Sequence, residues 1–180
     1  MGDVTDSKTE TAARLGIKVI KAVRFKRNVK APRKLVFDVW TKPEHLSHWF
    51  SPHGFNVEGV QSDPRPGGVF KLIMVPHAGG TGFWSVGKYL EVEAPHRIVT
   101  RVGGEGADGH IMFEVINTAV FEEQGDSTTI YAAGEVIAIN DPAIGKMAMA
   151  GMDEGWKQTL DRFEAELTRA ASQLKKGGSK

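Results

Sequence analysis

Three histidines crowd the stretch "EHLSHWFSPH": His45, His48 and His53. Residues three apart share a helix face, so His45 and His48 can offer two imidazoles to one metal ion. A third ligand would have to come from the following loop, and neither an acidic cluster nor a His-x-x-x-His spacing supplies it. The expectation is solvated or capping histidines and no metal. His77, His96 and His110 sit in or beside turns and read as exposed. Carboxylates come next. Glu91 and Glu93 lie two apart in a strand and share a face expected to meet water. Glu114 and Glu135 each interrupt an apolar strand. Turned inward, either would have a raised pKa and could act on a bound molecule; strand alternation favours the outward reading. Nucleophilic catalysis finds no support, because G-x-S-x-G is missing and Ser85 lies in "FWSVG" with no turn. "GGEGADG" (103–109) lacks the Lys and following helix that a phosphate loop needs. The chain has no cysteine, so thiol chemistry, Cys-ligated metals and disulfides are excluded. No catalytic residue and no cofactor is assigned, and whether the chain is an enzyme stays open.

What the sequence offers instead is bulk. Trp40, Trp49, Phe55, Phe70, Met74, Trp84, Met112, Phe113, Met149, Met152 and Trp156 are candidate walls of an apolar pocket. Phe70, Leu72 and Met74 share one strand face; Met149, Met152 and Trp156 share one helix face. Methionine and tryptophan suit an adaptable apolar site, and the competing role of each is plain core.

These side chains must be positioned by a particular series of elements. "KVIKAVRFKRNV" (18–29) alternates as a strand. Two short helices follow, the first with Pro32 in its first turn and the second with Thr41 as N-cap and Pro43 early. Six strands then run at 57–62, 68–75, 83–93, 98–102, 110–123 and 128–139, joined by turns too short for crossover helices. The chain ends in a long helix over about 141–174, whose apolar stripe runs from Met149 through Trp156, Phe163 and Leu167. Gly151 and Gly155 weaken that helix, which predicts a close backbone approach there. The elements imply an α+β fold, with a curved antiparallel sheet wrapped around the terminal helix.

The remaining numbers bound the class. At 180 residues, 41% hydrophobic and 25% charged, the chain suits one domain, read as 17–174. Its net charge of +1 gives no field for nucleic acid or an anionic membrane. The basic first strand reads as a solvated edge. Residues 1–16 hold no apolar h-region, so no signal peptide is expected; with the lack of cysteine this suggests a cytoplasmic protein. Neither 1–16 nor the tail 175–180 presents a face to bury, and both are expected to be mobile.

One stretch carries more than composition. "SDPRPGGVFK" packs Pro64 and Pro66 with Asp63, Arg65, Gly67 and Gly68 into a strand-ending corner. It resembles the D-x-R-x-G-G-x-[FY] signature of the family named for the activator of Hsp90 ATPase. "FDVWTKPEHLSHWFSP", "GKYLEVEAPHRIV" and "GMDEGWKQTLDRFEAEL" resemble that family's other blocks, in the same order, over roughly residues 20–170. The resemblance implies a START-like, helix-grip fold with a cavity between sheet and helix. It also implies three functional classes. The leading one is binding of a small hydrophobic or aromatic molecule. The second is a polyketide cyclase-like or hydrolase-like enzyme, and the third a regulator of a chaperone ATPase with a protein partner. No nucleic-acid or membrane partner is expected.

Overall fold

The computed structural model describes residues 4–177. Its strands are β1 (Lys21–Val29), β2 (Phe55–Ser62), β3 (Val69–Pro76), β4 (Phe83–Glu93), β5 (Arg97–Glu105), β6 (Ile111–Gln124) and β7 (Ser127–Ile139). Its helices are α1 (Val4–Thr9), α2 (Thr11–Arg14), α3 (Arg33–Thr41), α4 (Pro43–Trp49) and α5 (Pro142–Gly177). The strands form one antiparallel sheet in the order β1-β7-β6-β5-β4-β3-β2. Short turns make neighbours of consecutive strands from β2 to β7. β1 pairs instead with β7, Lys21 opposite Val136 and Val29 opposite Thr128. β1 and β2 therefore occupy opposite edges, and the chain between them must cross the sheet. It crosses as α3 and α4, which close one end of the concave face. Register shifts in four of the strand pairs add local twist and curl the sheet around α5.

The two crossing helices bury Val36, Phe37, Val39, Trp40, Leu46 and Trp49. Thr41, expected as the N-cap of α4, is the last residue of α3 and donates its hydroxyl to the Phe37 carbonyl at 2.8 Å. Lys42, in extended conformation, occupies the cap position. The Trp49 indole N–H donates to the Val39 carbonyl at 2.9 Å, fixing one helix against the other. Phe163 of α5 lies 4.9 Å, centroid to centroid, from both Trp40 and Trp49, and Trp40 lies 5.4 Å from Phe121 of β6. With Leu160, Leu167 and Ala170, all buried, this aromatic cluster seats the C-terminal half of α5. The other end starts at Asp141, whose Oδ1 accepts from the N–H groups of Ala143 and Ile144, an N-cap geometry.

The Pro/Gly corner is turn architecture. Gly67 has φ +81°. An added Cβ on Gly68 would lie 2.0 Å from the Asp63 carbonyl oxygen. Arg65 Nε donates to Asp63 Oδ2 at 2.7 Å, and the Gly67 N–H reaches Tyr89 of β4 at 2.8 Å. The basic edge strand is not simply solvated. Lys21 pairs with Asp153 at 2.8 Å and Arg27 with Asp161 at 3.2 Å, so β1 holds the flank of α5.

Two expectations need correction at the ends. The segment 1–16 was expected to be mobile, yet α1 and α2 pack on the convex face of the sheet. Thr9, Thr11 and Ala12 are buried there. Thr11 Oγ1 lies 2.6 Å from Thr118 Oγ1, Arg97 donates to the Lys8 carbonyl at 2.8 Å, and the Ala12 N–H donates to Glu135 at 2.9 Å. Ala12, Val99 and Ile116 make a small second core beneath. At the other end α5 takes in Lys175 to Gly177, which were expected in a loose tail; the expected mobility of residues 1–3 and 178–180 lies outside the described residues.

Helical glycines carry a third correction. Nothing lies within 4 Å of a Cβ added to Gly151, and Gly155 meets only Pro52, at 4.0 Å. The close approach is on the sheet: a Cβ on Gly134 of β7 would sit 2.8 Å from both Met152 Cε and Trp156 Nε1. Two substitutions should therefore move stability in opposite directions. Gly151→Ala, on the exposed helix face, should stabilise by roughly 0.5–1 kcal/mol. Gly134→Ala should cost roughly 1–3 kcal/mol by pushing α5 off the sheet. Urea unfolding measures both, and equal effects would mean that the helix does not rest on β7.

Candidate functional site

Beyond the aromatic cluster, α5 and the sheet diverge around a cavity of about 210 Å³. Its floor follows strand alternation through Phe113, Val115 and Asn117 of β6 and Phe83 and Ser85 of β4, and is joined by Val136 and Ile139 of β7 on either side of a register irregularity. Its roof is α5, through Gly145, Ala148, Met149, Met152, Gly155, Trp156 and Thr159. Phe50, Ser51 and Pro52, just after α4, form the end wall. The roof residues explain the space. Gly145 brings α5 so near β7 that an added Cβ would lie 2.3 Å from Ile139, while Ala148 and Gly155 send little or nothing downward. Gly155 thus leaves room where a chain was expected to press in.

The candidate wall residues divide into several groups. Met74, Phe113, Met149, Met152 and Trp156 line the cavity. Trp40 and Phe70 line a side pocket of about 20 Å³ next to it, and Trp49 is wholly buried in the aromatic cluster. Phe55 meets Phe83 edge to face but is not itself in the lining. Trp84 faces the convex side, under the Lys71 ammonium 4.5 Å from its ring. Met112 points away from Phe113 by alternation, and its carbonyl accepts the N–H groups of Asn140 and Asp141. Sequence reading missed the small and polar lining: Ser85, Asn117, Gly145, Ala148 and Thr159. Their signal was positional, since each lies two residues, or one helical turn, from an apolar residue of the wall.

No Asp, Glu, His, Lys, Arg or Tyr is among the residues lining this cavity. Glu114 is on the convex face and accepts from Arg101 at 2.7 Å. Glu135 is buried, against the outward, solvated expectation, but beneath α2 rather than in the cavity, with Arg24 at 3.6 Å. Glu91, expected in water, takes Arg97 at 3.0 Å and Arg14. Burial pushes the Glu91 carboxyl up, and the two guanidiniums outweigh it, holding it below the usual range. Tyr89, on the side pocket, is pushed up to about 12 by burial and shares a 2.7 Å hydrogen bond with Ser62. At neutral pH it is a fixed, uncharged phenol.

Two polar clusters anchor α5 just beyond the site, on its C-terminal half. Arg162 donates to the carbonyls of His48, Ser51, Pro52 and Phe55 at 3.0–3.2 Å, and also to the Ser51 hydroxyl. It pins the loop that forms the end wall, and burial pushes its guanidinium down. His45 was expected to be solvated or capping. Its Nδ1 instead lies 2.6 Å from Glu166 Oε1 on α5, and Arg169 reaches the same carboxylate at 2.6 and 2.7 Å. Among the described residues, no three His, Cys, Asp or Glu gather as metal ligands, and no helix is long and apolar enough to cross a membrane.

A curled antiparallel sheet closed by a terminal helix over an apolar cavity defines the helix-grip class. The family model for the Activator of Hsp90 ATPase homolog 1-like protein matches residues 30–168, and the chain belongs to that family. The family includes ligand-binding members and Hsp90 ATPase activators. No curated protein matches the chain. Among solved structures, a Nitrosomonas europaea protein is similar at 25% identity and TM-score 0.68, covering 84% of this chain and 96% of its own. The AHSA1 protein of Silicibacter pomeroyi is similar at 20% identity and TM-score 0.69, covering 82% and 98%. A Chromobacterium violaceum protein is similar at 24% identity and TM-score 0.68, covering 81% and 96%. These likenesses establish the fold.

The Glu166 cluster gives a pH dependence. Burial raises its carboxyl pKa, but hydrogen bonds from Arg169 and His45, with the charge of His48 nearby, outweigh burial and lower it. Its stabilising contribution is complete above the unfolded-state value of about 4.3 and is lost as pH falls through the lower folded value. Denaturation midpoints of Glu166→Gln should accordingly lie below wild type at pH 7, with the gap closing below about pH 4. A gap that stays constant down to pH 3 would show that Glu166 is not held ionised by this cluster.

Proposed function

We propose that this protein binds a small, neutral, apolar or aromatic molecule in the cavity beneath the N-terminal half of α5. The observation that carries the reading is the cavity's lining: methionine, phenylalanine, valine and tryptophan side chains with no ionisable group among them. Transfer of a ring out of water into such a site is favourable at about 25 cal/mol per Å² of apolar surface buried. Size sets the class. A dry cavity of about 150 Å³ is enough for benzene. The cavity here, about 210 Å³, suits one or two fused rings rather than a long lipid chain. A cyclase or hydrolase on this scaffold would need an acid or base facing the bound molecule, and Glu114 and Glu135, the two candidates for it, face the other side of the sheet.

Thermal denaturation with p-xylene, indole and naphthalene tests the reading. A ligand at about 100 times its Kd stabilises by about 2.7 kcal/mol, which raises Tm by about 5–10 °C for a chain of this size. Trp156 fluorescence should change in the same titration, because its indole forms part of the wall. Ala148→Phe fills the cavity from the helix side and should abolish both responses while leaving the circular dichroism spectrum unchanged. If none of these compounds shifts Tm at millimolar concentration, or if Ala148→Phe responds like wild type, the cavity is not a binding site for them.

A further inference from the structure

One fully enclosed polar atom at the cavity has no partner. Asn117 sits at the centre of β6, and the concave side of that strand is otherwise apolar on either side of it: Phe113, Val115, Ala119 and Phe121. Its side chain lines both the main cavity and the side pocket. Of the other polar lining groups, Thr159 donates to the Gly155 carbonyl at 2.8 Å and Ser51 donates to Phe55 and accepts from Arg162, while the Ser85 hydroxyl makes no hydrogen bond within the protein but is not fully enclosed. Asn117 Oδ1 is buried and has no hydrogen-bond partner in the protein. A buried carbonyl without a donor costs on the order of 1–3 kcal/mol, so an apolar residue would serve the core better.

Oδ1 has almost no exposed surface as it stands, but the atoms around it belong to flexible side chains rather than to backbone. Across the sheet it faces Gly134 on β7 and Thr100 on β5. Gly134 sends no side chain over it; a Cβ there would lie 3.4 Å from Oδ1. Met152 and Trp156 pass above that same glycine, so the carbonyl lies where the helix, the bare strand and the cavity meet. We infer that Asn117 is the specificity determinant of the cavity, and that the ligand is a small aromatic ring bearing one hydrogen-bond donor, a phenol or an indole-type N–H. The inference rests on the reading that the cavity takes a ring at all, and it adds the orientation. Oδ1 accepts the donor while the rest of the ring lies against the Met152 and Val115 side chains. A hydrocarbon of the same shape leaves the carbonyl unpaired, and a carboxylate or ammonium finds no counter-charge in the lining.

Matched pairs of probes test it: indole against indene, and p-cresol against p-xylene, each titrated into wild type and Asn117→Leu. The quantity read is the ratio of Kd values within a pair, compared between the two proteins, because the probes' differing affinities for water cancel. The preference for the donor-bearing member should fall about threefold to tenfold in Asn117→Leu. In wild type, the side-chain amide NMR signal of Asn117 should move with indole and stay in place with indene; this measurement serves alone if Asn117→Leu does not fold. If both members of a pair bind and the ratio is the same in both proteins, the cavity reading stands and the role of Asn117 is overturned. The same holds if the amide signal moves equally with indole and indene. If neither member binds wild type, it is the cavity reading itself that fails.

Discussion

The fold depends on how firmly one half of α5 is held. Phe163 enters a ring cluster with Trp40, Trp49 and Phe121, drawn from two crossing helices and a central strand. Such clusters bury large areas and favour tilted or edge-on geometries that fix relative orientation. The crossing helices are there because the strand order leaves β1 and β2 on opposite edges. Topology therefore decides which end of the concave face is closed, and the rings close it. Beyond that seat α5 meets the sheet again at Gly134 and Gly145, and the cavity lies beside these contacts. The Lys21–Asp153 pair steadies the half over the cavity, while the Arg27–Asp161 pair and the Arg162 cluster anchor the helix near its middle.

The convex face obeys a different constraint. A sheet with one face covered shows alternation, but β5 carries Ile98 and Val99 side by side, both fully buried, and Ile116 of β6 is equally buried on the back. Apolar residues on both sides of a strand need cover on both sides. α1 and α2 supply it with small side chains and backbone groups, and a buried carboxylate, Glu135, accepts the Ala12 N–H. α1 and α2 are thus part of the packing, although the family match begins only at residue 30.

Most of the fold could be read from the sequence because its periods are strong. The strand over 83–93 was placed at its observed limits and that over 128–139 to within one residue, and the long helix followed from its stripe of Trp156, Phe163 and Leu167. The N-terminal helices could not be read the same way. They are six and four residues long, they bury threonine and alanine, and what they cover is on other elements. The Ile98–Val99 pair was the available signal. The cavity wall was legible only in part, for a related reason. Searching for bulk finds Met74, Phe113, Met149, Met152 and Trp156, but also core residues such as Trp49 and the outward-facing Trp84. A cavity exists where side chains are small, and Gly145, Ala148 and Gly155 carry no hydrophobic emphasis in the sequence.

That distinction bears on why the space persists. Unfilled apolar volume is destabilising by roughly 24 cal/mol per Å³, so a core selected for stability alone would place larger residues at 148 and 155. The glycine at 155 adds a helix penalty of roughly 1 kcal/mol. Both costs fall on the half of α5 that the aromatic cluster does not hold, and both are offset when a molecule of the right size occupies the cavity. In this sense the missing part of the core is the ligand. An apolar filler recovers the packing, and one with a single donor also satisfies Asn117 Oδ1, the polar atom the protein leaves unpaired at that depth. Recognition and the completion of the core then become one physical event, localised to the few residues between Gly134 and Trp156.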